Sequence, residues 1–339
     1  MMIKDAIGKL VEGRSLTEDE ARRVMGQMMA GKATPAQTGA FLVALRMKGE
    51  TPEELLGMVR AMRDNALPVE APGDPIDTCG TGGDASGTYN ISTASAIVAA
   101  AAGLKVAKHG NRSASSQCGS ADVLEALGVR IALTPQQAQR CLDEVGMAFL
   151  FAQTYHPAMK HVAPVRGEIG VRTVFNILGP LANPARVRRQ VLGVALPELG
   201  PKMAFILQRL GALHALVVHG KDGLDEISLG APTSVHEVRA GDVRSYTITP
   251  EGLGLPRAER SALAGGDPDE NAGIIRRLLD GERGPKRDAL LANAAAALLV
   301  GGKAKDWKDG VALAAAVIDS GAARTKLEAF VAFTRSLGD

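Results

Sequence analysis

Aromatic residues are scarce in this chain. They make up 3% of its 339 residues, with one tryptophan, three tyrosines and seven phenylalanines. Because proteins that bind single-stranded nucleic acid stack bases on aromatic side chains, this scarcity argues against that class. The formal net charge is only +2 at pH 7, so there is also no general basic field that would indicate nucleic-acid binding.

Cysteine and long hydrophobic runs are also in short supply. The three cysteines, Cys79, Cys118 and Cys141, form neither an even set nor a CxxC pair, which favours a reduced, cytoplasmic compartment. No segment has the length and purity of a membrane span, and the amino terminus lacks the apolar core of a signal peptide. The remaining composition, 46% hydrophobic and 22% charged, is that of a globular protein with one large domain and a smaller one.

Helical signals dominate the first sixty-odd residues. Residues 17–20 and 51–54 have the spacing of capping boxes, in which a threonine and a glutamate satisfy each other's free N–H groups. Apolar residues at helical spacing follow both boxes, so each predicts a short helix that packs in a core or a dimer surface. Residues 65–74, with two prolines and a glycine, predict a linker.

From residue 75 onward, short apolar runs alternate with helical patterns. The predicted strands are residues 76–79, 104–107, 147–151, 191–196, 215–219 and 226–229. Helices are predicted to begin near Ser92, Ser120, Thr134, Leu199, Asp269 and Pro285. This alternation predicts an α/β domain with a mostly parallel central sheet. Residues 233–249 predict a hairpin that turns at residues 240–242.

Several motifs resemble ligand sites but lack a required part. Residues 26–33 almost spell a P-loop, yet Ala33 replaces the Ser or Thr that binds magnesium, and no strand precedes them. Residues 80–85 match a loose dinucleotide fingerprint, but no acidic residue follows about 20 positions later. His156 and His161 lack cysteine or carboxylate partners at zinc spacing. None of these three sites is therefore expected.

A glycine-rich block carries the first chemical signal. Residues 77–84 read DTCGTGGD, and three glycines in four positions let backbone N–H groups approach an anion without a Cβ in the way. Residues 88–93 read TYNIST and run into an alanine-rich helix, whose free N–H groups and positive dipole end suit phosphate. Taken alone, each piece is also compatible with a surface turn and an ordinary helix cap.

A second polar block follows a short apolar strand. Residues 108–116 read KHGNRSASS, and GSAD follows at residues 119–122. Open parallel sheets bind ligands beyond the carboxyl ends of their strands, and the cations, amide and hydroxyls of this block suit several phosphate oxygens at once. A solvated polar loop is the alternative.

These blocks resemble the motifs of the anthranilate phosphoribosyltransferase family. GTGGD at residues 80–84 and KHGNRxxSS at residues 108–116 match it, and the match continues through residues 119–128, 156–160 and 172–181. Asp225 and Glu226 stand where the family has its acidic pair. The resemblance spans nearly the whole chain and implies transfer of the phosphoribosyl group of 5-phosphoribosyl 1-diphosphate to the amine of anthranilate, in tryptophan biosynthesis.

The resemblance also implies a fold with two parts. A small all-helical domain, residues 1–70 with an inserted segment at about residues 165–186, would join an α/β domain at residues 71–339. The larger domain would be of the nucleoside phosphorylase/phosphoribosyltransferase type and would bind the phosphoribosyl diphosphate. The active site would lie in the cleft between them, and the helical domain would mediate a homodimer.

The resemblance further implies the residues of the site. Those carried over as ligands of phosphoribosyl diphosphate are Gly80, Gly83, Asp84, Thr88, Asn90, Ile91, Ser92, Thr93, Lys108, His109, Gly110, Asn111, Arg112, Ser113, Ala114, Ser115, Ser116 and Ser120. Ser92, Asp225 and Glu226 would hold Mg²⁺, the implied cofactor. Gly80, Asn111 and Arg166 would contact anthranilate. His109 would orient or contact a ligand, with proton relay as its alternative role, and Gly167 departs from the polar residue that many relatives carry there.

The expected mechanism relies on positioning and electrostatics. The aniline-type nitrogen of anthranilate is already neutral at pH 7, so attack needs no strong base, whereas the leaving diphosphate needs its charge neutralised. One alternative is a pyrimidine nucleoside phosphorylase of the same fold, whose KxSGRG and GGTxDKLE strings are absent here. The other is a non-catalytic, nucleic-acid-binding relative, which would lack the glycine loop or the acidic pair. Neither nucleic acid nor a membrane is an expected partner.

Overall fold

The structure is a computed structural model, and it describes residues 2–113 and 117–338. Three of the expected phosphate ligands, Ala114, Ser115 and Ser116, lie outside the described residues. Within the described part, no helix is long and apolar enough to cross a membrane.

Four capped helices open the chain. They are α1 (Ile3–Val11), α2 (Glu18–Met29), α3 (Pro35–Lys48) and α4 (Pro52–Asp64). Thr17 and Thr51 each accept a hydrogen bond from the N–H three residues later, and the glutamate there accepts one from the threonine N–H, which confirms both capping boxes. Helices α2 and α4 pack very closely because Gly57 lacks a side chain. A Cβ at that position would lie 2.1 Å from the carbonyl oxygen of Glu18.

The remaining helices follow in the larger part of the chain. They are α5 (Ile91–Ala101), α6 (Ser120–Leu127), α7 (Pro135–Glu144), α8 (Ala152–Tyr155), α9 (Ala163–Ile169), α10 (Phe175–Leu178), α11 (Leu199–Arg209), α12 (Pro250–Leu253), α13 (Pro268–Leu279), α14 (Pro285–Val300), α15 (Trp307–Asp319) and α16 (Ala322–Ser336). The predicted helix starts agree with α5, α6, α7, α11, α13 and α14 to within one residue. Helices α5 and α14 are rich in buried alanine, so small side chains fill the core that aromatic residues would otherwise occupy.

A single seven-stranded sheet forms the centre of the larger part. Its strands are β1 (Ile76–Gly80), β2 (Val106–Gly110), β3 (Met147–Phe151), β4 (Arg189–Gly193), β5 (His214–Gly220), β6 (Thr233–Arg239) and β7 (Asp242–Ile248). The order is β3-β2-β1-β4-β5-β6-β7. Strands β1 to β5 are parallel, and β6 and β7 are antiparallel, which confirms the mostly parallel sheet.

The hairpin is confirmed, but one predicted strand is wrong. Ala240 and Gly241 turn between β6 and β7 with positive φ angles of 51° and 90°, as a two-residue hairpin turn requires. Residues 226–229 do not form a strand, because β4 and β6 already occupy both edges of β5. Their N–H groups bond to side chains instead: that of Ile227 donates to Asn293 Oδ1 at 2.9 Å.

The amino-terminal helices share their core with a later segment. Buried side chains of α1 to α4 form one cluster with Val162, Val174, Phe175 and Leu178. Helix α9 approaches α3 at Gly39, where a Cβ would lie 3.7 Å from Val165. The segment that carries Arg166 is therefore attached to the helical part of the molecule.

Candidate active site

The glycine-rich block and the second polar block meet at the carboxyl edge of the sheet. Gly80 ends β1 and Gly110 ends β2, and these neighbouring strands are parallel. The amino end of α5 lies at the same edge, since Thr78 Oγ1 donates to the Ser92 carbonyl oxygen at 2.9 Å. Asn90 precedes this helix without capping it, so the end of α5 is open to an anion.

The side chain of Asn90 has a different use. Its Nδ2 donates to the carbonyl oxygen of Cys118 at 3.1 Å, and its Oδ1 accepts from Asn271 Nδ2 at 3.0 Å. These bonds join the start of α5 to the loop before α6 and to α13. Asn90 therefore offers a ligand its backbone, while its side chain holds three elements together.

Two carboxylates reach this edge from the segment after β5. Asp225 Oδ2 accepts a hydrogen bond from the Gly82 N–H at 2.8 Å. Gly80 and Gly193 leave room for this residue: a Cβ at Gly193 would lie 1.5 Å from the Asp225 carbonyl oxygen. Burial raises the pKa of Asp225 to about 7, with the charge of Asp84 as the second cause. Burial likewise holds the pKa of Glu226 well above its usual range, and Asp225 adds to the effect.

These carboxylates fit a divalent cation. The Oδ2 atom of Asp84 is buried and has no hydrogen-bond partner within the described ranges, and buried carboxylates carry charge stably only beside a cation. Carboxylate oxygens are preferred ligands of Mg²⁺, which commonly completes its coordination with substrate phosphates and water. Across residues 2–113 and 117–338, no three His, Cys, Asp or Glu residues are arranged to hold a metal unaided. The site therefore suits magnesium bound together with a phosphorylated substrate.

Lys108 lies in the interior behind this edge. Lys108 is 1% exposed. Its ammonium donates to the Thr78 carbonyl oxygen and lies 3.4 Å from Ser92 Oγ. Burial lowers the pKa of Lys108, whereas Asp77, Cys79 and Glu226 raise it. In this arrangement the ammonium partly neutralises the carboxylates and orients Ser92. Direct contact of Lys108 with a ligand stays a prediction.

A buried aspartate at the start of the glycine-rich block, to which the sequence analysis gave no role, fixes β2. Asp77 Oδ1 accepts from the His109 N–H at 3.2 Å, and its Oδ2 accepts from Asn183 Nδ2 at 2.8 Å. Burial raises the pKa of Asp77 to about 6, against the opposing charge of Lys108. Asn183 also donates to the Ala107 carbonyl oxygen at 2.9 Å. The two residues thus tie β1, β2 and the segment before β4 together.

The rings of His109 and His156 lie against each other, with centroids 5.2 Å apart. Burial lowers the pKa of His109 to about 3 and that of His156 to about 4. Both imidazoles are therefore neutral at pH 7. His109 Nε2 is buried and has no hydrogen-bond partner within the described ranges.

Asp122 organises the loop that follows β2. Its Oδ2 accepts from the N–H groups of Ser113 at 3.1 Å and of Gly119 at 2.8 Å. Ser120 Oγ donates to the Asn111 carbonyl oxygen at 3.3 Å. Arg112 points to α6, where it forms a bidentate pair with Glu125 and a third contact with Asp122. Contact of Arg112 with phosphate would require these ion pairs to rearrange and stays a prediction.

The other expected phosphate ligands take up varied positions around the start of α5. Ile91 is buried in the core, so only its backbone is offered to a ligand. Thr93 is also buried, and its Oγ1 has no partner in the part of the chain that is described. Thr88 forms an isolated bridge with Ala264, and its Oγ1 lies 3.3 Å from Ser86 Oγ.

Two arginines lie on or just after α9. Arg166, on α9, rests on the ring of Phe175, with its guanidinium carbon 5.3 Å from the ring centroid. It is partly buried and has no carboxylate partner among the described residues; burial lowers its pKa. Gly167 has open space where a Cβ would be, so this departure from the family pattern leaves Arg166 undisturbed.

Arg172 makes a contact with the glycine-rich loop that the sequence analysis did not predict. Its Nη2 donates to the Gly82 carbonyl oxygen and its Nη1 to the Gly83 carbonyl oxygen, each at 3.3 Å. The only signal in the sequence was its place as the first residue of the RTVFNILGPL motif. Arg172 therefore joins the segment after α9 to the glycine-rich loop.

Comparisons with known proteins found relatives that match this chain over nearly its whole length. A family described as "Glycosyl transferase family, helical bundle domain" matches residues 4–66, and "Glycosyl transferase family, a/b domain" matches residues 73–324. An anthranilate phosphoribosyltransferase of Anaeromyxobacter dehalogenans is 57% identical over 334 residues, which is 98% of this chain and 99% of the relative.

Solved structures of proteins with the same name have the same fold as this chain. The crystal structure of anthranilate phosphoribosyltransferase from Thermus thermophilus has a TM-score of 0.93 and 51% identity, covering 98% of this chain and 100% of the other. The enzyme of the same name from Saccharomyces cerevisiae, in complex with PRPP and Mg, has a TM-score of 0.91 and 29% identity. That likeness covers 99% of this chain and 98% of the yeast chain.

Proposed function

The chain belongs to the anthranilate phosphoribosyltransferases, and we propose that it transfers the phosphoribosyl group of 5-phosphoribosyl 1-diphosphate to the amine of anthranilate. The products are N-(5-phosphoribosyl)anthranilate and diphosphate, in tryptophan biosynthesis. The observation that carries this proposal is the hydrogen bond from the Gly82 N–H to Asp225 Oδ2. It joins the loop that is proposed to bind diphosphate to a carboxylate that is proposed to bind magnesium, at one edge of the sheet.

Magnesium is the cofactor, and the proposed ligands are Ser92, Asp225 and Glu226. Support comes from carboxylates whose pKa values burial raises and from the buried, unpartnered Oδ2 of Asp84 beside them. When bound, magnesium neutralises negative charge on the departing diphosphate. Lys108 holds Ser92 in place from the interior and reduces the mutual repulsion of the carboxylates.

The phosphoribosyl diphosphate is proposed to bind along the carboxyl edge of the sheet. The loop after β1 and the open end of α5 would supply backbone N–H donors. The loop after β2 would supply further donors from Asn111, Ser113 and Ser120 once Ser113 and Ser120 exchange their bonds to Asp122 and Asn111 for bonds to phosphate. The planar guanidinium of Arg166 is proposed to pair with the carboxylate of anthranilate. Gly80 and Asn111 would lie against the same substrate.

The reaction is a displacement at the anomeric carbon. The lone pair of the anthranilate nitrogen forms the new C–N bond as the C–O bond to diphosphate breaks, and the nitrogen then loses one proton. The neutral amine needs no base before attack, so the chain contributes by orienting the two substrates and stabilising the leaving charge. Neutral His109 is proposed to orient a ligand through its free Nε2 atom.

We propose that residues 1–70, together with about residues 165–186, form the helical domain and that residues 71–339 form the α/β domain. The close approach of α9 to α3 at Gly39 and Val165 supports placing the inserted segment with the helices; the core that they share continues into β4, α11 and β5. A homodimer through the helical domain is supported by the exposed side chains of Val11, Val43 and Met47 on α1 and α3. Three free cysteines support a cytoplasmic location.

Anthranilate fluorescence provides the test. Mixing the protein with anthranilate, 5-phosphoribosyl 1-diphosphate and magnesium should consume the fluorescence, and leaving out either the diphosphate substrate or magnesium should stop the loss. Fluorescence that stays constant in the complete mixture would contradict the proposed function. Consumption without magnesium would contradict only the metal assignment.

A further inference from the structure

The contact between Arg172 and the glycine-rich loop determines where that loop can direct its hydrogen-bond donors. Gly82 and Gly83 have φ angles of 62° and 75°, so both adopt the left-handed conformation. The guanidinium of Arg172 donates to both of their carbonyl oxygens at 3.3 Å. It also occupies the space beside Gly83, where a Cβ would lie 1.6 Å from Nη1.

From these two contacts, peptide geometry determines where the neighbouring N–H groups point. No cis peptide occurs in the described residues, and a trans peptide sets its N–H antiparallel to its C=O. Because the carbonyl oxygens of Gly82 and Gly83 point to Arg172, the N–H groups of Gly83 and Asp84 point the opposite way. Neither N–H has a protein acceptor among the residues that the structure describes.

The preceding peptide is held independently. The Gly82 N–H donates to Asp225 Oδ2 at 2.8 Å. A proposed metal ligand thus holds the Gly82 N–H, and the guanidinium of Arg172 holds the carbonyl groups of Gly82 and Gly83. A cation at the carbonyl end of a peptide also polarises its N–H and makes it a stronger donor to an anion.

We propose that Arg172 is a positioning residue that orients the N–H groups of Gly83 and Asp84 toward the diphosphate of the substrate. It acts through the backbone of the loop and does not itself contact the reacting atoms. Arg172 lies six residues after Arg166, so one short segment serves both substrates: Arg166 by direct pairing and Arg172 through the loop. This inference rests on the proposed function, because it needs the loop to bind diphosphate.

Calorimetry on the full chain tests the effect on affinity, with 5-phosphoribosyl 1-diphosphate and magnesium as the probe. Arg172→Ala should weaken binding about 10-fold, within the range for a charged hydrogen bond discounted for its exposure. Arg172→Lys, which keeps the charge but loses the planar pair of donors, should weaken it less. The matched control is Arg140→Ala on α7, whose exposed guanidinium pairs with Glu144 and lies on Phe333; its affinity should equal that of the unaltered protein.

Amide resonances test the positioning role itself. At saturating substrate and magnesium, the downfield shifts of the Gly83 and Asp84 amides should be smaller in Arg172→Ala than in the unaltered protein. Weakened binding with full amide shifts at saturation would overturn the positioning role and make Arg172 a direct ligand. Unchanged affinity in Arg172→Ala would overturn the inference while leaving the proposed function intact, whereas failure of the unaltered protein to bind the substrate would contradict the proposed function.

Discussion

The two sides of the proposed active site, the sheet edge and the segment around α9, hold their charged groups in different ways. On the sheet side, Lys108 and Asp77 are almost completely buried, and neighbouring strands fix their partners. On the helical side, Arg166 rests on one aromatic ring and Arg172 touches two carbonyl oxygens. The sheet side is organised before any ligand arrives, because its charges are held by one another. Neither guanidinium on the helical side has a carboxylate partner within the described residues, so Arg166 keeps its charge available to an anionic substrate, while Arg172 donates to the glycine-rich loop.

The largest effect is expected from removing charge on the sheet side. Replacing Asp225 by Asn and Glu226 by Gln together should lower activity by about 100-fold or more, since the leaving diphosphate loses its electrostatic support. Excess magnesium should recover part of the loss by mass action. The double variant should fold normally and be at least as stable at pH 7, because burial raises the pKa of both groups and disfavours their charged forms. Steady-state rates across a magnesium series provide the measurement, and an unchanged magnesium dependence would rule out these ligands.

Arg166→Ala probes the helical side. A charged hydrogen bond contributes about 1.5–3 kcal/mol, so the KM for anthranilate should rise roughly 10- to 150-fold. The KM for 5-phosphoribosyl 1-diphosphate should stay nearly constant, because its proposed ligands lie on the sheet side. If kcat is unchanged, Arg166 binds the ground and transition states alike; if kcat falls too, the residue also orients the amine.

Kinetics with each substrate varied in turn would measure the effect of Arg166→Ala, with Arg140→Ala as the exposed arginine control. A normal KM for anthranilate would show that its carboxylate is recognised elsewhere. It would also mean that the difference between the two sides has no consequence for anthranilate binding.

The His109–His156 pair predicts an acid-sensitive fold. The pKa of His156 is about 4 in the folded chain, below the ordinary 6.5. Between these two pH values the imidazole therefore binds a proton in the unfolded chain but not in the folded chain. The contribution of His156 to stability is therefore lost as pH falls from about 6.5 to about 4. Asp77, whose pKa is raised to about 6, acts in the opposite direction below pH 6.

His156→Phe should therefore make the fold less sensitive to acid. It should remove about 2 kcal/mol of the difference in unfolding free energy between pH 7 and pH 5. Urea denaturation at the two pH values would measure this, with His161→Gln at an exposed position as the control. An equal pH dependence in His156→Phe and the unaltered protein would contradict the buried, neutral state of this ring.

The smallest effect distinguishes two adjacent glycines. Gly82→Ala and Gly83→Ala each place a side chain in the left-handed region, which costs about 1 kcal/mol. Only the second collides with Arg172; a Cβ at Gly82 meets nothing within 4 Å. Gly83→Ala should therefore raise the KM for 5-phosphoribosyl 1-diphosphate about threefold more than Gly82→Ala, and leave anthranilate binding less affected. Gly83→Val should act in the same direction.

Removing Arg172 supplies the control for the glycine pair. In an Arg172→Ala background, the two glycine substitutions should have equal effects on the KM for 5-phosphoribosyl 1-diphosphate, because the collision partner is gone. A difference between them that persists in this background would show that Arg172 does not hold the loop.

Much of the fold could be predicted because its signals are local. The capping boxes at Thr17 and Thr51, the hairpin turn at Ala240-Gly241 and the starts of most later helices depend on residues within a few positions of one another. The strand predicted at residues 226–229 was wrong for the opposite reason. Its apolar side chains are buried as the pattern indicated, but the edge of β5 that it needed is occupied by β6, and no local pattern records that competition.

The sequence by itself determined the family and predicted the loops proposed to bind anions and the acidic pair, since long motifs and glycine spacing specify backbone shape directly. Only the tertiary structure decided which of these groups meet. The Gly82 N–H bonds to a carboxylate 143 positions away, and Arg172 reaches the same loop from 89 and 90 positions away. Burial of Lys108 and the placement of Arg166 on an aromatic ring likewise depend on packing between distant elements. Such contacts follow from the free energy of the whole fold, and the residues adjacent in sequence do not encode them.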